Sequence, residues 1–312
     1  MEPIQAPIPV VELEKEMTSD LFVKYTNYGN NEIYIFNHLT APLLMREVGR
    51  LRELTFRASG GGTGYALDID EFDTMDGAFD QLIVWNPRDK DIIGGYRFIH
   101  GSKIRKNEHG HWHTPTAELF QFSDNFVKDY LHKTIELGRS WVQPAYQAST
   151  DTRKGLFALD NIWDGLGAVI TLNPDVKYFF GKITMYLSFD PYARDLILHF
   201  LKRFFPDNEG LISPFSPLPL THDALQLDLV FNGSNYQENY KILSHEVRAH
   251  GENIPPLVNT YMNISPTMRT FGTALNPGFG EVEETGIMIT IDDIYDTKKE
   301  RHLMDHKSPP RA

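Results

Sequence analysis

The stretch ELGRSWV, Glu136 to Val142, decides how the rest of the chain is interpreted. Its apolar residues predict a buried strand, yet it also carries a glutamate and an arginine three residues apart beside Gly138. Because side chains alternate between the two faces of a regular strand, we expect Glu136 and Arg139 on opposite faces. A glycine inside a strand lets another backbone or a ligand approach closely. These features suggest a strand that serves a site as well as a core.

The segments before this strand predict a helix followed by a hairpin. LTAPLLMREVGRLRELTF places Leu44, Val48 and Leu51 at helical spacing, with Pro42 in the first turn. An acidic loop, ALDIDEFDTMDGAFD, follows the break GGGTG. QLIVWN and IIGGYRFI are strand-like and flank the turn PRDKD, which is typical of a hairpin.

The segments after ELGRSWV predict an alternation of helices and strands. We expect helices in ALDNIWDGLGAVITLNP, DPYARDLILHFLKRFF, NYQENYKILSHEVRAHGE and IPPLVNTYMNIS, and strands in VKYFFGKITMYLSF, ALQLDLVF and GIMITIDDIY. FGTALNPGFGEVEE is interpreted as a Gly/Pro loop. The predicted fold class is α/β (α+β), with a mixed sheet and helices packed on it. Predicted boundaries are an N-terminal arm over 1–20, a core over 21–205 and a C-terminal extension over 206–312 that packs on the core or completes its sheet.

Composition limits the function classes. The chain has 312 residues and no cysteine, which excludes disulfides, thiolate metal sites and a cysteine nucleophile. A net charge of -12 argues against a nucleic-acid binder. We find no signal peptide and no apolar run near the ~18 residues that span a membrane. A cytoplasmic protein is therefore expected.

Six segments in this order resemble the GNAT-type N-acyltransferase superfamily. They are REVGRLRELTFR, LDIDEFD (Leu67 to Asp73), IIGGYRF with Arg97, ELGRSWV, IPPLVNTYM (Ile254 to Met262) and ALNPGFG (Ala274 to Gly280). The first four also resemble acyl-homoserine-lactone synthases. ELGRS followed by IPPL is closer to the ornithine-lipid and related amino-acid-lipid N-acyltransferases, often labelled hemolysin-like. The resemblance runs from about Leu43 to about Tyr295.

This resemblance implies a GNAT-like, mostly antiparallel sheet and an N-acyltransferase of bacterial lipid biosynthesis. It implies transfer of a long, 3-hydroxylated acyl chain from acyl carrier protein to the α-amino group of an amino acid, ornithine or glycine, giving an N-acyl lyso-aminolipid. VQPAYQASTDTRKG lacks the glycines with which acyl-CoA-using relatives wrap the pyrophosphate. Acyl carrier protein is thus favoured over acyl-CoA as donor, with no bound cofactor. The amphiphilic product suggests peripheral contact with the inner membrane.

Amide formation from a thioester needs a base that deprotonates the amine and a donor for the developing oxyanion. The resemblance makes Glu136 the candidate base, and Ser140 a candidate donor to the acyl group. Arg97 follows two glycines on a strand, where a charge is costly unless it is paired or bound to substrate. The substrate-binding candidates are Arg52, Asp70, Asp73, Arg97, Gly138 and Arg139. An ion-pair network among them is the structural alternative, and Arg57 is a further possible member.

Two other groups of residues are either solvated surface residues or have a function. Basic clusters suit docking of an acidic carrier protein, and the candidates are Lys103, Arg105, Lys106, Arg153 and Lys154. HGHWH places His109, His111 and His113 at alternate positions, as metal ligands on a strand would be. No acidic partner is placed beside them, so we predict no metal site.

Two further functions stay open. One is an autoinducer synthase that uses S-adenosylmethionine, for which the sequence offers no nucleoside pocket. The other is a non-enzymatic, membrane-active protein, which requires an amphipathic insertion segment that does not stand out.

Overall fold

The computed structural model describes residues 1–147, 155 and 157–302. In chain order its α-helices are α1 (Val10–Glu16), α2 (Pro42–Ala58), α3 (Glu71–Thr74), α4 (Ala158–Leu172), α5 (Pro191–Phe204), α6 (Ala224–Val230), α7 (Tyr236–Ala249), α8 (Pro256–Met262) and α9 (Asp296–His302). Its strands are β1 (Phe22–Tyr25), β2 (Glu32–Phe36), β3 (Asp80–Asn86), β4 (Asp91–His100), β5 (Phe120–Phe122), β6 (Thr134–Val142), β7 (Tyr178–Met185), β8 (Ile212–Pro214), β9 (Arg269–Asn276) and β10 (Val282–Thr290).

The chain forms two compact units, each made of separate segments. The first unit comprises residues 1–106, 132–177 and the described part of 295–312. The second comprises residues 107–131 and 178–294. All of the candidate site residues that the structure describes lie in the first unit.

In the first unit, strands β1, β2, β3, β4 and β6 are hydrogen-bonded in that order, each antiparallel to the next. The predicted β3–β4 hairpin and the β6 strand are confirmed. β1 and β2 were not predicted, because they are short and lie in a segment rich in polar and turn-forming residues. Neighbouring β3 and β4 bury almost all of their residues, as strands covered on both faces do.

Helices α2 and α4 lie on opposite faces of this sheet. Leu82 on β3 faces α4, and a Cβ added to Gly165 would come within 2.6 Å of its side chain, so the glycine permits this close packing. The preceding residue, Gln81, faces the other way and contacts Arg52 of α2 at 3.4 Å. The polar side chains of β3 and β4 therefore meet beneath α2.

The first 20 residues pack against α2. The carboxylate of Glu16 accepts hydrogen bonds from the backbone N–H groups of Leu43 (3.0 Å) and Leu44 (2.8 Å), which caps the N-terminus of α2. The backbone N–H of Ile8 donates to Glu47 at 3.0 Å. This segment thus fixes the start of the helix that carries Arg52.

In the second unit, β7, β10 and β9 are paired antiparallel in that order, and β5 pairs with β8. Helices α5 and α7 pack on each other through aromatic side chains. Phe200 of α5 lies 5.5 Å from the ring of Phe231 and 5.7 Å from that of Tyr236. Phe200 and Phe231 are buried, and the half-buried Tyr236 packs at their edge.

Two secondary-structure predictions in the second unit are wrong. ALQLDLVF is the helix α6 and not a strand: Asp223 caps it by accepting from the N–H of Leu225. Of its leucines only Leu227 is buried, so the alternating pattern did not describe one buried face. FGTALNPGFGEVEE is not a loop, because it contains most of β9 and the start of β10, which pair across a short turn.

The predicted class, an α/β fold with a mostly antiparallel sheet and flanking helices, is confirmed. The boundaries 1–20, 21–205 and 206–312 stay a prediction. None of the helices in the described residues is both long and apolar enough to cross a membrane.

Candidate functional site

The acidic stretch Leu67 to Asp73 folds around the first turn of α3. Asp70 precedes this helix, and its backbone N–H donates to the carboxylate of Asp73 at 3.1 Å. Asp68, two residues before Asp70, is fully buried. One short segment therefore brings three carboxylates, at spacings of two and three residues, to the sheet face beneath α2.

Arg52 forms the buried end of an ion-pair network on this face. Its guanidinium lies 3.0 Å from Asp68 and 3.0 Å from Asp73, and all three side chains are fully buried. Gln81 donates to Asp73 at 3.0 Å and completes the hydrogen bonding. Burial alone would lower the pKa of Arg52, but the charges of Asp68 and Asp73 outweigh it and raise that pKa. Arg52 is thus a permanent cation that holds both carboxylates ionised.

Arg97 occupies the centre of the network. Its Nη1 lies 2.6 Å from Asp70 and 3.2 Å from Asp73. The guanidinium carbon lies 5.4 Å from the ring centre of Phe79 and 5.7 Å from that of Phe72, so the group is fixed by rings as well as by charges. Burial opposes ionisation, but the two aspartates prevail and the pKa of Arg97 is raised.

Arg139 joins the same network, so the prediction that it faces away from Glu136 is wrong. Its Nε lies 2.9 Å from Asp68, and its Nη2 lies 3.4 Å from Asp70. Between the pairs Gly95–Trp141 and Arg97–Gly138, β4 advances two residues and β6 advances three, which is a β-bulge in β6. Arg139 has φ 47°, a left-handed conformation that breaks the alternation of faces.

The network is graded from buried to accessible. Side chains of Asp68 and Asp73 have no exposed surface, whereas Arg139 is 14% exposed and Asp70 is 28% exposed. Burial lowers the pKa of Arg139, as do the charges of Arg97 and Arg52, and Asp68 and Asp70 offset this only in part. Asp70 and Arg139 are therefore the more exposed members of the network, while Arg52 and Asp73 are buried behind them.

Glu136, Gly138 and Ser140 follow one another along β6. Glu136 pairs with Ile99, and Gly138 pairs with Arg97. Since alternate residues share a face, Glu136 lies on the face that carries Arg97 and the ion-pair network. Glu136 is 1% exposed, whereas Gly138 and Ser140 are half-buried. A deeply placed carboxylate therefore stands beside an accessible glycine.

Two network members were missed by the sequence analysis. Asp68 was part of the quoted acidic stretch, and its spacing of two from Asp70 was the available signal. Gln81 is a polar residue in an otherwise apolar strand, directly opposite Arg97 in the register. Arg57 does not join: it pairs with Glu53 at 2.6 Å, four residues earlier on α2.

The candidate docking residues lie at the surface where the structure describes them. Lys103 is 62% exposed and 3.9 Å from Asp80. Arg105 and Lys106 are exposed, and Arg105 donates to the carbonyl oxygen of Ser102 at 2.6 Å. Arg153 and Lys154 lie outside the described residues. A docking role for this set stays a prediction.

The histidines of HGHWH do not lie on a regular strand: His109 is in a turn, and His111 and His113 flank the single bridge residue Trp112. His109 is 73% exposed and lies 3.4 Å from Glu108. Across the described ranges, no group of three or more His, Asp or Glu side chains is arranged to hold a metal ion.

Comparison with known proteins identifies the family. The model of the acetyltransferase (GNAT) domain matches residues 51–154, a range that contains Arg52, the acidic stretch, Arg97 and β6. A Bacteroides thetaiotaomicron protein named glycine N(alpha)-acyltransferase is 53% identical over 303 residues, covering 97% of this chain and 90% of that protein. A Phocaeicola vulgatus protein of the same name is 51% identical, with 97% and 93% covered.

A solved structure also aligns with the chain. The CoA-dependent acyl-homoserine lactone synthase BjaI matches with a TM-score of 0.38 and 12% identity, over 90% of this chain and 95% of that one. The sequence relatives are far more similar and span almost the whole chain. The protein therefore belongs to the GNAT-type N-acyltransferase family of these relatives and is an acyltransferase.

Proposed function

We propose that this enzyme transfers a long 3-hydroxylated acyl chain from acyl carrier protein to the α-amino group of glycine, giving an N-acylglycine. The observation that carries the choice of acceptor is the 53% identity, over 97% of the chain, to a protein named glycine N(alpha)-acyltransferase. Glycine is thereby favoured over ornithine. The 3-hydroxyl group and the carrier-linked donor rest on the sequence resemblance to amino-acid-lipid acyltransferases.

The carrier-linked donor has two supports in this chain. The segment after β6, VQPAYQASTDTRKG, lacks the glycine spacing that binds a CoA pyrophosphate through backbone N–H groups. Lys103, Arg105 and Lys106 present three exposed positive charges within four residues of an acidic protein. An acidic carrier protein is attracted by such a local cluster.

The proposed reaction is a direct attack on the thioester. Glycine binds as a zwitterion, and the Glu136 carboxylate accepts a proton from its ammonium group. Glu136 releases this proton to solvent, and the neutral amine forms the new C–N bond at the thioester carbonyl. The attacking nitrogen then loses a second proton to Glu136, and the C–S bond breaks. The proton passes from Glu136 to the departing thiolate, so Glu136 is regenerated and the carrier leaves as its thiol.

The ion-pair network positions this chemistry. Asp70 and Arg139, its two more exposed members, pair with each other at 3.4 Å at the accessible side of the network. Arg52 and Asp73 do not reach the substrate in this account and act by fixing Arg97 and Asp70. Ser140 and the backbone N–H groups at the bulge are candidate donors to the developing oxyanion. We also propose that the amphiphilic product is released at the surface of the inner membrane.

Purified enzyme tests the proposal directly. It is incubated with 3-hydroxyacyl carrier protein or with the matching acyl-CoA, and with glycine, ornithine, serine or homoserine lactone in turn. Mass spectrometry is expected to find N-acylglycine as the main product and a higher kcat/KM with the carrier-linked donor. A product from ornithine alone would contradict glycine as the acceptor. Equal use of acyl-CoA would contradict acyl carrier protein as the donor. Formation of a lactone from S-adenosylmethionine would favour an autoinducer synthase.

A further inference from the structure

The guanidinium of Arg97 contacts the aspartates of the ion-pair network through one nitrogen, Nη1. Both carboxylates, those of Asp70 and Asp73, contact Nη1. The Nε–H is buried, and no described residue accepts a hydrogen bond from it. A buried donor that lacks an acceptor destabilises the fold, so such a group is expected to serve a ligand or to be under strain.

Gly138 lies directly in front of this Nε. A Cβ built on Gly138 would be 3.4 Å from Arg97 Nε and 3.6 Å from its Cγ. Apart from Gly138 and its two chain neighbours, no other described residue places an atom within 4 Å of that point. Gly138 is half-buried, so the approach to Nε opens past a glycine and not past a side chain. An oxygen atom that accepts from Nε at ~2.9 Å would pass through the space that a side chain here would occupy.

The direction of the Nε–H bond is fixed before any ligand arrives. The rings of Phe72 and Phe79 and the two carboxylates hold the guanidinium in place. The raised pKa of Arg97, in which Asp73 and Asp70 outweigh burial, keeps the group charged. The donor is thus permanent, positively charged and preorganised, as a carboxylate-binding group should be.

We propose that the Nε–H of Arg97 binds the carboxylate of the acceptor amino acid over Gly138, an inference that rests on the proposed function. Glu136 and Gly138 are two residues apart on one face, so their Cα atoms are ~7 Å apart. In glycine the amine nitrogen and the carboxyl carbon are ~2.5 Å apart. The acceptor therefore fits with its amine toward Glu136 and its carboxylate toward Arg97.

The test compares an acceptor that has the carboxylate with one that lacks it. The ratio of kcat/KM for glycine to that for glycinamide is measured in the wild type, Arg97→Lys and Gly138→Ala. Lysine keeps a positive charge near Asp70 and Asp73 but has no Nε–H in that position. Alanine at Gly138 makes only ordinary van der Waals contacts with Arg97, so Gly138→Ala is expected to keep the wild-type Tm.

In both variants kcat/KM for glycine is expected to fall about ten- to hundredfold, mainly through KM, the loss typical of a hydrogen bond to a charged group. The value for glycinamide should fall much less, so the wild-type preference for glycine over glycinamide is lost. An equal fall with both acceptors would assign Nε to the acyl oxygen or to the fold and overturn the proposal. An unchanged preference in Gly138→Ala with a wild-type Tm would overturn it as well.

Failure of the proposed function is distinguishable from failure of this inference. If the wild type acylates another amino acid, the same ratio is measured for that amino acid and its amide. If no donor supports turnover, binding of ¹³C-labelled glycine followed by NMR gives the readout. Weaker binding to Gly138→Ala than to the wild type supports the site, whereas equal binding, or none to the wild type, contradicts it.

Discussion

The guanidinium of Arg52 on α2 and the carboxylate of Asp73 on α3 form an ion pair of 3.0 Å in which neither side chain is exposed. Asp73 also contacts Arg97, so this pair links the helix to the strand that carries the proposed acceptor site. The network connects α2, the acidic segment, β4 and β6. Its buried members hold the geometry of its accessible ones.

Loss of Arg52 should therefore destabilise the fold. Replacing one partner of a buried ion pair leaves the other charge uncompensated, so Arg52→Met is expected to lower the free energy of unfolding by ~3–5 kcal/mol. Arg46→Met on the exposed face of the same helix is the matched control and should change it by less than ~0.5 kcal/mol. Urea unfolding measures both. A loss in Arg52→Met no larger than in the control would contradict a bracing role.

Glu136→Gln removes the proposed base while keeping the shape of the side chain. The kcat for glycine acylation is expected to fall ~10²–10⁴-fold, the usual contribution of a positioned base, with the Tm retained. Glu12→Gln is the control, since Glu12 lies at the surface in a pair with Lys15. Steady-state kinetics on the purified variants measures kcat. A kcat for Glu136→Gln within a few-fold of the wild type would contradict the role of Glu136 as the base.

Lowering the pH should destabilise the second unit by protonating Asp195. Burial would raise the pKa of this carboxyl, but hydrogen bonds from Thr221, Arg194 and His222 outweigh it and lower the pKa from 3.8 to about 2. Because the folded-state pKa is depressed, the stabilisation is present above pH ~4 and is lost as the pH falls toward ~2, amounting to about 2 kcal/mol.

Asp195→Asn tests this linkage. The variant should be less stable than the wild type at neutral pH, and the difference in unfolding free energy should narrow as the pH falls from about 5 to about 2.5. Urea unfolding at several pH values gives the comparison. A difference that is independent of pH would contradict the lowered pKa.

Reversing the charges at Lys103, Arg105 and Lys106 to glutamate tests carrier docking. The KM for the acyl carrier protein should rise about tenfold and lose its salt dependence, because rim charges act mainly on association. The kcat and the KM for glycine should not change. Lys15→Glu, also at the surface, is the control. A triple variant with a wild-type KM for the carrier would place the docking surface elsewhere.

Much of the first unit was predictable because its patterns are local. The helical spacing of Leu44, Val48 and Leu51, and the hairpin around PRDKD, need no distant information. ALQLDLVF was misread because its leucines alternate, whereas the cap at Asp223 starts a helix that buries only Leu227. Alternation predicts a strand only when one face is buried, and burial depends on partners far away in the chain.

The site residues also divide into those that the local sequence predicted and those that it did not. That Arg97 requires acidic partners followed from its strand position alone. The position of Arg139 did not follow, because a single extra residue in β6 and a left-handed φ reverse the face of its side chain. Gln81 was missed because only the register that places it opposite Arg97 reveals its role.

The central claim is that the chain acylates glycine with Glu136 as base. The most direct test is mass spectrometry of lipids from a host that has an acyl carrier protein donor, is fed ¹⁵N-glycine and expresses the wild type or Glu136→Gln at matched levels. The account predicts ¹⁵N-labelled N-acylglycine with the wild type and little or none with the variant. Equal labelled product from both would contradict the role of Glu136, and its absence from both would contradict glycine as the acceptor.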